Sequence, residues 1–68
     1  MKIGERLREL RKEQGETQTQ VAKAVGMGAR HYQRMEADDG LPGLEIFCAL
    51  ADHFGVSLDY LAGRSDQR

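Results

Sequence analysis

The chain has 68 residues, which is enough for one small domain and too few for two. It is 40% hydrophobic and 31% charged. No apolar run approaches the roughly 18 residues of a membrane span, so the composition predicts a soluble globular domain. The start of the chain carries charges where a cleavable signal peptide needs an apolar core. The single Cys48 cannot form an internal disulfide, and these features together predict a cytoplasmic protein.

The formal net charge is −1 at pH 7, and this value alone argues against a nucleic-acid partner. The charges are, however, divided unevenly along the chain. Residues 1–35 carry eight basic and four acidic side chains, a local charge of +4. Residues 36–68 carry two basic and seven acidic side chains, a local charge of −5. A polyanion is therefore expected to bind the first half of the chain.

Five short helices are predicted from apolar spacing and from residues that start or stop helices, and no stretch alternates as a strand would. The first helix spans Lys2–Gln14. The second begins after Thr17, whose side chain is expected to form a capping box with Gln20, and it ends at Gly26. The third helix spans Gly28–Ala37 after a tight turn.

The second half of the chain contains the last two predicted helices. Apolar side chains at core spacing predict a fourth helix over Leu44–Phe54. Ser57 is expected to cap a fifth helix over Leu58–Ala62. The domain is therefore expected to comprise residues 1–63, followed by a polar, fraying tail at residues 64–68.

Residues 17–36 are the most informative segment, because two helices of about two and three turns meet there at a tight glycine turn. Ala22, four residues before Gly26, is small enough to let the two helices cross closely. This arrangement is a helix-turn-helix, in which the first helix rests on the DNA backbone and the second enters the major groove, about 12 Å wide. The segment therefore predicts binding to double-stranded DNA.

Three stretches of the sequence resemble one family, the Xre/Cro group of phage-repressor-like helix-turn-helix transcriptional regulators. They are IGERLRELRKEQGETQ at 3–18, VAKAVGM at 21–27 and LADHFGVSLDYLAGRSD at 50–66. Their order and spacing make the resemblance specific, and it covers nearly the whole chain. It implies an all-α, five-helix domain that binds operator DNA as a homodimer, usually as a repressor of phage, mobile-element or host genes in a bacterium.

The resemblance also implies which residues contact DNA. Gln18, the first residue of the second helix after the matching Thr17, is expected to contact the DNA backbone. Gly28 stands at the cap of the third helix, where the family commonly has Ser or Thr. The base-contacting positions fall on Ala29, Arg30, Gln33 and Arg34.

Apolar spacing supports the same orientation, because Tyr32 and Met35 mark the opposite face of the third helix as core. The hydroxyl of Tyr32 is expected to reach the surface. Arg30 and Arg34 can fork to guanine O6 and N7, and Ala29 can contact a thymine methyl group, so a guanine-containing half-site is expected. The plainer interpretation of the two arginines is a solvated basic face.

The family often pairs an arginine late in the first helix with a glutamate late in the third, and these positions correspond to Arg11 and Glu36. The pair is expected to orient the third helix against the first. The sequence departs from the family after the third helix, where Asp38 and Asp39 replace a glycine and the basic or polar residues that lie against phosphates. Carboxylates are repelled by phosphate, so either backbone amides near Gly40 contact the DNA with the acids turned away, or affinity is lower than usual. Replacement of both aspartates by asparagine is expected to tighten binding.

Leu58, Tyr60 and Leu61 provide more apolar surface than a short last helix needs for its own docking. Two interpretations stay open, simple closure of the core and a two-fold interface with a second copy. The interface is expected on functional grounds, because a dimer places two recognition helices about 34 Å apart, one helical turn of DNA.

Catalysis and metal binding are not expected, and no cofactor is implied. His31, Cys48 and His53 lack the spacing of a metal site, and no serine or cysteine nucleophile has a histidine at motif spacing. A second hypothesis is a protein-interaction module of the same fold, such as an antitoxin or an anti-repressor partner, which the acidic second half supports. A third is that the chain is the first part of a longer protein, with GRSDQR as the start of a linker.

Overall fold

The computed structural model describes residues 3–68, and five α-helices with no strand make up this part of the chain. They are α1 Gly4–Glu13, α2 Gln18–Val25, α3 Ala29–Glu36, α4 Leu44–Phe54 and α5 Leu58–Leu61. The predicted all-α, five-helix architecture is confirmed. Lys2, the predicted first residue of α1, lies outside the described residues.

Helix α2 begins and ends as the sequence predicts. The hydroxyl of Thr17 accepts a hydrogen bond from the Gln20 N–H at 3.1 Å, and the Gln20 side-chain oxygen accepts one from the Thr17 N–H at 2.8 Å. Gly26 ends the helix at φ +77°, a left-handed conformation that glycine adopts without steric cost. The Met27 N–H then donates to the carbonyl of Ala22 at 2.9 Å, which closes the turn that leads into α3.

One core lies between the helices, and every helix contributes to it. Its buried apolar side chains are Ile3, Leu7, Leu10, Val21, Ala22, Tyr32, Met35, Leu50, Ala51, Phe54, Tyr60 and Leu61. Ser57 caps α5 by accepting the Tyr60 N–H at 3.0 Å, as expected. The expectation for Tyr32 is wrong in one respect, because its hydroxyl is buried and makes no hydrogen bond with the described residues.

Helix α1 packs its first turn directly on the backbone at the end of α3. A Cβ atom built on Gly4 would lie 2.7 Å from the carbonyl carbon of Glu36 and 2.9 Å from the carbonyl oxygen of Met35. Atoms cannot approach this closely, so only glycine permits the contact. This contact brings the start of α1 against the last turn of α3.

The expectation of a fraying C-terminal tail is wrong, because the tail packs against α1 and α5. Arg6 donates to the carbonyls of Tyr60 and Ser65, each at 2.7 Å, and forms an ion pair with Asp66. Arg68 pairs with Glu13, two turns further along the same face of α1. These long-range contacts hold residues 64–68 in place although the segment is polar.

Candidate nucleic-acid interface

The outer surface of the helix-turn-helix carries basic side chains and no acidic ones. Residues 17–35 include Lys23, Arg30 and Arg34 and contain neither aspartate nor glutamate. All three basic side chains are exposed. The first carboxylate after this segment belongs to Glu36, which is only 3% exposed. The exposed face of α2 and α3 therefore presents three basic side chains and no exposed carboxylate of its own, as a surface that binds a polyanion requires.

The structure orients α3 as the sequence predicts. Tyr32, Met35 and Glu36 face the interior. Arg30, Gln33 and Arg34 are exposed on the opposite side, and Ala29 is half-buried at the first turn. Side chains four residues apart lie one above the other on a helix, so Arg30 and Arg34 share one face.

Helix α3 begins without a side-chain cap. Gly28 occupies the N-cap position with extended backbone, and no side chain accepts a hydrogen bond from the first turn. Glycine at this position stabilises the helix a few tenths of a kcal/mol less than Ser or Thr. The absent side chain also leaves the N-terminus of α3 open on the outside of the molecule, because nothing lies within 4 Å of a Cβ built on Gly28.

Gln18, the expected backbone contact, also ties α2 to α3. Its side-chain nitrogen donates to Glu36 Oε1 at 3.1 Å. The amide carries two N–H groups, so one remains for a further acceptor such as a phosphate oxygen. The contact holds the Gln18 side chain at the exposed junction of the two helices, beside the capping threonine Thr17.

Arg11 and Glu36 lie in direct contact. Arg11 Nε is 2.7 Å from Glu36 Oε2, and Arg11 Nη2 is 3.2 Å from Glu36 Oε1, so the guanidinium binds the carboxylate through two parallel hydrogen bonds. Burial by itself raises the pKa of Glu36, but the hydrogen bonds from Arg11 and other neighbours outweigh it and hold that pKa below its usual value. The hydrogen bond with Glu36 in turn raises the pKa of Arg11. The pair joins α1 to α3 with both groups ionised.

The carboxylates of Asp38 and Asp39 both have partners within the chain. Asp38 has φ +58°, and its Oδ1 accepts a hydrogen bond from the N–H of Gly4 at 3.0 Å. Asp39 forms an ion pair with Arg34, with 3.3 Å between Arg34 Nε and Asp39 Oδ2. Asp38 thus serves the start of α1, and Asp39 contacts an arginine of the basic face.

The expected dimer interface requires a correction. Tyr60 and Leu61 are buried in the chain's own core, and the guanidinium carbon of Arg6 lies 4.0 Å from the centre of the Tyr60 ring. Their apolar surface is therefore already covered. Of the three residues expected at the interface, Leu58 alone is exposed, at 42%.

Two further leucines, which sequence reasoning missed, expose more surface. Leu41 is 65% exposed and Leu44 is 74% exposed. With Ile3, Pro42 and Phe47 they line an apolar groove of about 260 Å³ between the α3–α4 loop and α4. The leucine on each side of Pro42-Gly43 was the available signal, since the segments that connect helices are usually polar.

The described part of the chain contains neither a metal-binding cluster nor a membrane-spanning helix. Within residues 3–68, no three His, Cys, Asp or Glu side chains come together in a way that could hold a metal ion. Cys48 is half-buried and unpaired in the same part of the chain. Among the helices described, none has the length and apolar character needed to span a bilayer.

Comparison with known proteins supports the helix-turn-helix interpretation. A family model described as helix-turn-helix matches residues 7–61. The transcriptional repressor RstR of the cryptic phage CTXphi, from Vibrio cholerae serotype O1, is 41% identical over 64 residues, which cover 94% of this chain and 57% of the relative. The HTH-type transcriptional regulator ImmR of Bacillus subtilis is 32% identical over 66 residues, which cover 97% of this chain and 52% of the relative.

A third relative, the uncharacterized HTH-type transcriptional regulator YobD of Bacillus subtilis, is 37% identical over 62 residues, or 91% of this chain and 55% of the relative. The chain thus spans a little over half the length of these relatives. The family match covers α2, the Gly26 turn and α3 together with most of the core that holds them. The chain belongs to the Xre/Cro-like helix-turn-helix family.

Proposed function

We propose that this chain is the DNA-binding part of a transcriptional regulator, and that it acts as a repressor by binding a specific double-stranded operator. The observation that carries the proposal is the outer face of α3, where Arg30 and Arg34 are exposed on a helix-turn-helix free of acidic side chains between residues 17 and 35. RstR is named as a transcriptional repressor, and ImmR and YobD are named as transcriptional regulators, in agreement with this function. Family members of this kind are not enzymes.

In the proposed complex α3 lies in the major groove and α2 rests on the backbone. Phosphate contacts, including one from the free N–H of Gln18, supply most of the affinity and are independent of sequence. Arg30 and Arg34 supply discrimination by forking to guanine O6 and N7, and Ala29 favours a neighbouring thymine. The bound protein then excludes polymerase from the promoter.

The regulator is proposed to bind as a homodimer in the cytoplasm, because two copies place two recognition helices one turn of DNA apart, about 34 Å. Leu58 is the remaining exposed residue of the expected interface. Sedimentation of the variants Leu58→Asp and Leu44→Asp, with and without DNA, identifies the face through which two copies associate. Loss of cooperative binding in Leu58→Asp alone supports the α5 face, and loss in Leu44→Asp alone contradicts it.

Selection of bound fragments from a random DNA library tests the function directly. We expect an enriched half-site that contains guanine, and binding that weakens steeply with salt, with a log–log slope of roughly −0.9 for each phosphate neutralised. If the chain fails to bind mixed DNA even below about 50 mM salt, the proposal is contradicted and the protein-interaction hypothesis is favoured.

The same assay separates the roles of individual residues. Arg34→Ala is expected to relax base preference, whereas Gln18→Ala is expected to weaken binding to all sequences alike. Arg64→Ala removes an exposed charge from the tail beyond α5 and serves as the control. If Arg34→Ala and Gln18→Ala both lower affinity uniformly, the assignment of Arg34 to base contact is wrong.

A further inference from the structure

We propose that Asp39 is a positioning residue for sequence recognition: it holds the guanidinium of Arg34 so that the far end of that group faces a guanine. The inference rests on the proposed DNA-binding function and deepens it. It also reverses the sequence-based interpretation of Asp39 as a charge that merely repels phosphate.

The turn that ends α3 fixes the backbone of Asp39. Its N–H donates to the carbonyl of Arg34 at 2.8 Å, and the N–H of Asp38 donates to the carbonyl of Met35 at 3.1 Å. With Asp38 at φ +58°, these two bonds form a Schellman motif. The Asp38 side chain is itself bound by the N–H of Gly4 in α1. The backbone that carries the Asp39 carboxylate is thus tied both to α3 and to α1.

The contact leaves the recognition end of the arginine available. Arg34 Nε lies 3.3 Å from Asp39 Oδ2, and both side chains are exposed. A guanidinium has five N–H groups, one on Nε and four on the two terminal nitrogens, so the contact with Asp39 uses the inner edge. Two N–H groups of the terminal nitrogens suffice to fork to guanine O6 and N7. Less side-chain freedom then has to be lost when DNA binds.

The Asp39 carboxylate also has a second effect: it favours discrimination between sequences but weakens binding to DNA of any sequence. It offsets the positive charge of Arg34 and so weakens the attraction of this residue for phosphates in general. Arg30, by contrast, forms no ion pair with any residue from 3 to 68, so its charge is not offset in this way. A positioning role therefore predicts that removal of the carboxylate raises affinity for random DNA while it lowers discrimination at the base that Arg34 contacts. Simple repulsion predicts the rise in affinity alone.

The test measures dissociation constants at one salt concentration for the selected operator, for versions with each guanine replaced by adenine, and for random duplex DNA. The proteins are the wild type, Asp39→Asn, Arg34→Ala, the double variant and Asp52→Asn. Asp52 is an exposed residue of α4 and matches the change in charge. Thermal unfolding of each variant verifies that it folds.

Asp39→Asn is expected to bind random DNA more tightly and to lose about two- to fivefold of the discrimination at one guanine, in keeping with the strength of an exposed ion pair. Asp52→Asn keeps the wild-type discrimination. In the Arg34→Ala background the Asp39 change has no further effect on discrimination. If Arg34→Ala relaxes base preference and Asp39→Asn does not, the positioning role is refuted while the proposed function stands. If Arg34→Ala itself leaves base preference intact, the base-contact assignment fails and the positioning role fails with it.

Discussion

The side chain of Asp38 caps a helix that begins 34 residues earlier in the chain, because its Oδ1 accepts the N–H of Gly4 at 3.0 Å. Helix α1 has Ile3 at its N-cap position, and this residue has no side chain that could accept a hydrogen bond. A carboxylate at a helix N-terminus also interacts favourably with the helix dipole. The loop after α3 therefore supplies the missing cap of α1.

We expect Asp38→Ala to lower the free energy of unfolding by about 1–2 kcal/mol, the usual cost of losing an N-cap. Asp38→Asn should cost much less, because asparagine tolerates a positive φ and can still accept the Gly4 N–H. Urea denaturation at pH 7 measures both values. A wild-type stability in Asp38→Ala would contradict a stabilising contact with Gly4.

Gly4→Ala is expected to be strongly destabilising, by about 3 kcal/mol or more, because the new methyl group would overlap the backbone of Glu36 and Met35. The carbonyl groups belong to α3 and cannot move without displacing that helix. Gly43→Ser is the control, since its Cβ would meet nothing within 4 Å and serine is a good N-cap for α4. Chemical denaturation should show a large loss for the first variant and none for the second.

The features that local sequence patterns predicted are those whose partners lie close together in the chain. The Arg11–Glu36 contact, 25 residues apart, was expected only from the family resemblance. The Thr17–Gln20 capping box, the turn at Gly26 and the Ser57 cap each depend on residues within about four positions, so their patterns are visible in the sequence. The orientation of α3 followed from the spacing of Tyr32 and Met35. Local chemistry and helical periodicity determine these features.

The features that the sequence did not predict depend on contacts between distant residues. Nothing in the neighbourhood of Gly4 or Asp38 indicates that they bind each other. The tail was expected to fray because its residues are polar, and it is held instead by Arg6, 59 residues before Ser65. Apolar residues near the C-terminus were ambiguous for the same reason, because Leu61 can serve a core or an interface equally well until its neighbours are known.

The Arg11–Glu36 pair should show strong energetic coupling. Either single change, Arg11→Ala or Glu36→Ala, is expected to lower the free energy of unfolding by about 3–5 kcal/mol, because it leaves one buried charge without its partner. The double variant should lose much less than the sum of the two. A double-mutant cycle by urea denaturation provides the measurement, and additive losses would contradict a structural role for the pair.

The same pair predicts how stability depends on pH. The pKa of Glu36 is lowered in the folded protein from a usual value near 4.5, so the folded state favours the ionised form. The corresponding stabilisation is fully present above pH 4.5 and is lost as the pH falls through the lower, folded-state pKa. The difference in unfolding free energy between the wild type and Glu36→Gln should therefore be constant near neutrality and shrink in acid. A difference that stays constant down to pH 2 would contradict the lowered pKa.

The last prediction concerns Tyr32 on the buried face of α3. Its ring is fully buried, and its hydroxyl makes no hydrogen bond with any residue from 3 to 68. Burial, together with the neighbouring Glu36 carboxylate, raises the pKa of this hydroxyl. A buried polar group without a partner costs about 1–3 kcal/mol, so removing it should not weaken the fold. We expect Tyr32→Phe to leave the free energy of unfolding unchanged or to raise it by about 1 kcal/mol.

Tyr32→Ala is the matched comparison for this position. It removes the ring as well as the hydroxyl and should cost about 3–5 kcal/mol through the cavity it leaves. Thermal and urea denaturation of both variants separate the contribution of the ring from that of the hydroxyl. A loss of more than about 1 kcal/mol in Tyr32→Phe would show that the hydroxyl does contribute a hydrogen bond to the fold, since that is the usual net value of one such bond.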